Sequence, residues 1–173
     1  MQAGQYFQRI LAVLLDGGFL DVQMRSLLNK RTPTATEISA FAHACARQNH
    51  EEIFRIFYYD CPPLRRTEKH PISGEEIDFS SKGTAHARAS LQAALSQMNF
   101  FALRAGELSF DGWEFNPAAR NRAVRALKNN KPFELRPEDL KPDIKQKRVD
   151  MMIGLDIAWL ASKRLVDRLI LVT

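Results

Sequence analysis

Cysteine is scarce in this chain: only Cys45 and Cys61 occur in 173 residues. That excludes the small secreted scaffolds held together by disulfide frameworks, and it points to a reducing compartment, the cytoplasm. Long apolar runs are missing too. The first, Ile10 to Leu15, stops at Asp16, far short of the roughly 20 residues that span a bilayer, and it lacks the small-residue cleavage pattern of an export signal. No membrane partner is therefore expected. Neither Gly-rich phosphate pattern, the P-loop or the dinucleotide fingerprint, is present, which disfavours nucleotide-cofactor enzymes of those types. Internal repeats and low-complexity tracts are absent as well. What the chain does have is 45% hydrophobic residues, enough for a real core, and the length of one domain, so residues 1–173 read as a single domain. A net charge of +5 favours polyanionic partners without proving one.

Ile10 to Leu15, meeting Asp16-Gly17-Gly18, reads as a buried parallel strand that ends in a sharp turn with Asp16 at its carboxyl end. Leu20 to Asn29 suits a short helix. Thr34 to Gln48 suits another, with Ile38, Phe41, Ala42 and Cys45 on one face and Thr34 or Thr36 as the cap. Ile53 to Tyr59, aromatic and β-branched, predicts a second strand closed by Asp60-Cys61-Pro62-Pro63. Residues 61–82, with Arg65, Arg66 and Lys69, read as an exposed loop of a length that is often functional. A helix over Thr84 to Met98 presents Leu91, Leu95 and Met98, and Phe100 to Arg104 makes a third strand. Gly106 to Pro142 is less regular, although Asn116-Pro117 signals a helix running to Lys128, with Arg120, Arg122, Arg125 and Lys128 over one broad side. The last helix spans Lys147 to Ser162, and Leu169 to Thr173 is a final buried strand. This β-α-α-β-α-β-α-α-β order, with nearly all-apolar strands, predicts an α/β fold with a mainly parallel sheet covered on both faces.

Ligands of such sheets gather outside the carboxyl ends of the strands, where Asp16 and Asp60 sit. On the last helix Asp150 and Asp156 lie about 120° apart and flank Ile153, Ile157 and Leu160, so both are expected to lean toward the sheet. Asp150 also has an ordinary explanation as an acid in a helix's first turn. Oxygen-rich clusters select magnesium or manganese, and such ions hydrolyse phosphodiesters by orienting a hydroxide and stabilising the leaving alkoxide. Each aspartate alone is more often a cap or a surface residue; the combination carries the weight. Zinc is disfavoured, since His43, Cys45 and His50, or Cys61 and His70, lack paired ligand spacing. Tyr58, Tyr59, Phe100 and Phe101 read as core rather than as stacking platforms, and Cys61 has no partner base to make it a nucleophile. The basic loop and the Arg120 to Lys128 helix either track a phosphate backbone or are solvated faces.

Four segments share one pattern: Leu14-Leu15-Asp16-Gly17-Gly18-Phe19, Tyr58-Tyr59-Asp60-Cys61-Pro62-Pro63-Leu64, Ser73-Gly74-Glu75-Glu76-Ile77-Asp78-Phe79, and the stretch from Lys145 through Lys147-Arg148-Val149-Asp150 to Asp156-Ile157-Ala158. Together they resemble bacterial NYN domain proteins, a branch of the PIN-like nucleases, over nearly the whole chain. The last segment is the most specific. The resemblance implies a Rossmann-like, three-layer PIN/NYN fold and cleavage of RNA, expected to be single-stranded, with Mg2+ or Mn2+. It implies metal ligation by Asp16 and Asp150, a catalytic or bracing role for Asp156, and phosphate contacts from Arg65, Arg66, Lys147 and Arg148. A homo-oligomer is compatible with it. Two positions depart from the family pattern: Arg148 replaces a usual Gly, which disturbs a helix start, and Phe19 stands where some relatives carry Asn. The family pattern also continues after the final strand with a Gly-Asp-Ser-Asp segment, so the resemblance implies a domain whose C-terminal part lies beyond Thr173. The competing reading is a non-catalytic RNA-binding or protein-interaction module on the same fold. A phosphatase with an aspartyl nucleophile needs an Asp-x-Asp that Asp16-Gly17-Gly18 does not provide.

Overall fold

The computed structural model describes residues 8–173. Strand β1 (Arg9–Asp16) is central because Leu11 to Leu15 carry apolar side chains on both faces, and all five are fully buried. Strand β2 (Glu51–Asp60) pairs with it on one side and β8 (Arg168–Val172) on the other, while β5 (Phe101–Ala105) lies beyond β2. Every pairing is parallel, in the order β5-β2-β1-β8. The α/β architecture with a parallel sheet is thus the one the hydrophobic pattern predicts.

Helices cover both faces. On one, α1 (Gly17–Leu27), α2 (Ala35–Ala44) and α3 (Gly83–Ser96) set Leu20, Ile38, Ala42 and Leu95 against Leu11, Val13, Leu15, Ile56 and Tyr58. Each such side chain taken from water contributes about 1.5–3 kcal/mol. Successive strand residues point to opposite faces, so Tyr59 looks the other way and meets α5 (Val149–Ser162). Helix α5 buries Val149, Ile153 and Leu160. The final strand, expected to be buried, is half-buried instead, with Leu171 exposed: β8 is an edge with a neighbour on the β1 side only among the described residues. No helix of the described residues is long and apolar enough to cross a membrane.

The described residues fall into two compact units. The first comprises residues 8–62, 87–107 and 147–173 and holds the sheet; the second comprises 63–86 and 108–146. Within the second, β3 (Thr67–Lys69) and β4 (Glu76–Asp78) make an antiparallel hairpin inside the expected loop. Strands β6 (Glu107–Phe115) and β7 (Leu140–Lys147) form a second two-stranded sheet in the stretch that reads as irregular. Helix α4 (Pro117–Lys128) starts where Asn116 accepts a hydrogen bond from the Ala119 N–H at 2.8 Å, with Pro117 in the first turn. The buried His70 ring meets Trp113 edge-on, and Phe110 packs on Trp113 and Phe79.

Candidate functional site

Strand β1 is where the sheet changes direction. The chain runs outward from β1 to β2 and β5 on one side, then returns to place β8 on the other. Crevices at such switch points, outside the carboxyl ends of the strands, are where open α/β sheets bind ligands. Asp16 is the last residue of β1 and caps α1: its Oδ1 accepts from the Gly18 N–H at 2.9 Å and the Phe19 N–H at 3.1 Å. The expected sharp turn is therefore a direct strand-to-helix junction, and α1 begins at Gly17 rather than Leu20. Gly17 is required there, since a Cβ would stand 2.8 Å from the Tyr58 ring and from the Tyr59 carbonyl oxygen. Asp16 keeps Oδ2 outside the cap.

Asp60, at the exit of β2, is differently placed. It is buried, and Arg88 of α3 grips it through Nε at 2.9 Å and Nη2 at 2.5 Å. Gln92 Nε2 adds a bond at 2.8 Å and the Cys61 N–H another. Every lone pair direction of this carboxylate is occupied, so Asp60 ties α3 to the sheet and has no oxygen left for a cation. The negative charge of this edge still registers on its neighbours. Burial first, then Asp60, and further Asp21 and Asp16, push the Tyr58 phenol up. Burial and then Asp60 likewise raise the Cys61 thiol, which keeps it protonated and inert as a nucleophile.

The start of α5 reaches the same edge. The Lys147 main chain hydrogen-bonds the Cys61 thiol. A Cβ on Gly106, just past β5, would stand 2.8 Å from the Lys147 carbonyl oxygen and 2.9 Å from both Cys61 Sγ and Val149 Cγ2. Asp150 follows in the first turn of α5 and is exposed, without an ion pair among the described residues. It does not lean on the sheet as the helical spacing suggests. Asp156 does: Tyr59 Oη donates to its Oδ2 at 2.8 Å, and Arg104 donates to the same oxygen from Nε at 2.8 Å. Arg104 itself lies over the Phe57 ring at 5.0 Å. Burial, then the bond to Asp156, raises the Tyr59 phenol. Of the two roles expected for Asp156, bracing is the one this geometry performs.

Arg148 occupies the N-cap position of α5 with φ 72° and ψ −11°, the left-handed region that favours glycine. The helix consequently begins at Val149, and Lys147, expected to open it, is instead the last residue of β7. Arg148 is exposed and pairs with Glu107 at 3.1 Å; Lys147 beside it is exposed too. Arg65 and Arg66 belong to the second unit, where Arg66 pairs with Glu68 and lies 5.3 Å over the Phe110 ring. The partners of the acids, Arg88 with Gln92 and Arg104 with Tyr59, carry no local signal in the sequence, because their contacts span 28 to 97 positions.

Among the described residues no group of three or more His, Cys, Asp or Glu side chains is placed to hold a metal ion. Comparison with protein-family models, with curated proteins and with solved structures finds no match to this chain.

Proposed function

We propose that the chain is a metal-dependent ribonuclease of the NYN, PIN-like type, with Asp16 and Asp150 as the ligands of one Mg2+ or Mn2+. One observation carries this reading. Of the four aspartates that the sheet edge and α5 present, Asp60 and Asp156 are neutralised by arginines, whereas Asp16 and Asp150 have no ion pair among the described residues. The donor set fits a hard cation: small divalent ions use one or two carboxylates and complete their shell with water and phosphate oxygens. A bound ion of this kind supplies a hydroxide at neutral pH and neutralises charge on the phosphate.

The residues of the chain have separate tasks in this account. Asp16, fixed by its own capping bonds, presents Oδ2 outside β1. Asp150, in the first turn of α5, is the second proposed ligand, and the position of that helix is held by the Asp156 to Tyr59 and Arg104 contacts. Lys147 and Arg148, at the start of the same helix, fix the phosphate backbone by charge without reading sequence, and Arg65 and Arg66 of the second unit are phosphate contacts in their own right.

The test is cleavage of a labelled single-stranded RNA with manganese and with chelator. Metal-dependent cutting that Asp16→Asn and Asp150→Asn each abolish is the expected result; asparagine still caps α1, so the first variant keeps its fold. A folded, manganese-supplied protein that binds the RNA and leaves it intact moves the chain to the non-catalytic RNA-binding module.

A further inference from the structure

Strand β2 contains one residue too many for its partner. Leu11 of β1 pairs with Ile53 but Ala12 pairs with Arg55, so Phe54 is an added residue in a β-bulge. The bulge leaves Phe54 and Arg55, adjacent in sequence, both exposed in a strand that is fully buried from Ile56 onward, and bulges of this kind re-aim side chains. Phe54 is 38% exposed. Across from it on the α5 face, Trp159 is 45% exposed. Between them lies a groove of about 320 Å3, lined by Phe54, Arg55, Phe57, Ala102, Arg104 and Trp159. That volume is at the lower end of small-ligand sites.

We propose that this groove stacks a base of single-stranded RNA between Phe54 and Trp159, with Arg55 on the adjoining phosphate. The assignment rests on the reading of the chain as an RNA-cleaving protein and extends it to a substrate subsite away from the metal. Charge selects the occupant. Asp156 already neutralises Arg104, whose guanidinium carbon lies 5.0 Å over the Phe57 ring, so Arg104 contributes contact surface rather than free charge. Arg55 has no ion pair among the described residues and supplies the free positive charge. Planar aromatic walls beside one uncommitted guanidinium match a nucleotide, whose base offers a π-face of any sequence and whose phosphate offers the anion. The groove is also in reach of the proposed site. Asp150 and Trp159 are nine residues apart on one helix, a rise of about 13 Å, which a strand of a few nucleotides spans.

The probe is a labelled eight-nucleotide adenosine ribo-oligomer, added with chelator present so that binding is read apart from cleavage. A Trp113→Phe background leaves Trp159 as the single indole of the chain. Quenching of its emission on RNA binding is expected. Trp159→Ala and Phe54→Ala should each weaken the affinity about tenfold, Trp159→Phe should restore most of it, and Arg55→Gln should lower both the affinity and its salt dependence. Both aromatic side chains are partly exposed, so circular dichroism of the variants should stay native. RNA binding that the alanine variants leave unchanged, or that does not quench Trp159, overturns the groove assignment while leaving the ribonuclease reading intact. Complete absence of RNA binding also overturns it, and the manganese-dependent cleavage assay then judges the ribonuclease reading by itself.

Discussion

Arg148 shows how a single backbone angle records what a position requires. In L-residues the left-handed region costs about 1–2 kcal/mol through Cβ crowding, and glycine escapes that cost. Arg148 holds φ 72° at the junction between β7 and α5, at a position where the NYN pattern that this segment resembles usually has glycine. Its side chain recovers only an exposed pair with Glu107, and such pairs stabilise by less than about 1 kcal/mol. Arg148→Gly should therefore raise the stability of the chain by roughly 0.5–1 kcal/mol, read as a higher urea midpoint with an unchanged slope. A lower midpoint would mean that the guanidinium contributes more than its exposed contact suggests. The same substitution should weaken RNA binding if Arg148 grips phosphate.

At the scale of elements, the helix ends were the most legible parts of the chain and the second unit the least. Asn116-Pro117, and Thr34 or Thr36, are read from sequence as caps, and Asn116 and Thr34 act as caps, because capping is a contact within three residues. The apolar faces of α2 and α3 follow from the 3.6-residue period in the same local way. Strands β6 and β7 escape notice for physical reasons. In β6 the alternation of Leu108 and Phe110 changes phase to Trp113 and Phe115 across Gly112, which has φ 109°. In β7 a proline and four charged side chains hide the strand.

The start of α2 makes a pH prediction at this scale. Two hydrogen bonds from Arg31, at 2.5 and 3.0 Å, and then the Thr34 N–H hold the Glu37 carboxyl at about 2, below its usual 4.5. An acid with a depressed folded value stabilises above its unfolded value and loses that contribution as the pH falls. The cap should weaken as pH drops from about 4.5 to about 2, and Glu37→Gln should remove that part of the pH dependence. Denaturation midpoints across that range provide the comparison, and identical curves for both proteins would refute the linkage. Salt should shrink the effect, since the pair is exposed.

The brace on α5 separates stability from chemistry. Asp156→Asn keeps an acceptor for Tyr59 but leaves Arg104 without its anion, and partial exposure of that pair limits the cost to about 2 kcal/mol. Urea unfolding should show the loss while manganese affinity stays at the wild-type value. A fall in metal affinity with unchanged stability would instead make Asp156 a ligand.

For the whole molecule, the parallel sheet and the position of Asp16 at its carboxyl edge were visible in the apolar runs and the residues that end them. What the runs do not contain is which acids are already spoken for. Asp60 looks as suitable as Asp16 in sequence, yet Arg88 and Gln92, about 30 residues on, occupy it completely. Asp156 is claimed in the same way by Arg104, 52 positions away. Two of the four candidate ligands, Asp16 and Asp150, thus remain without an ion pair among the described residues. The most direct test of metal binding by this pair is calorimetric titration of manganese into the wild-type chain, Asp16→Asn and Asp150→Asn. One binding site that either substitution weakens by about tenfold or more is the predicted result. Equal binding by all three proteins would contradict it, and the edge of the sheet would then have no metal to offer a phosphodiester.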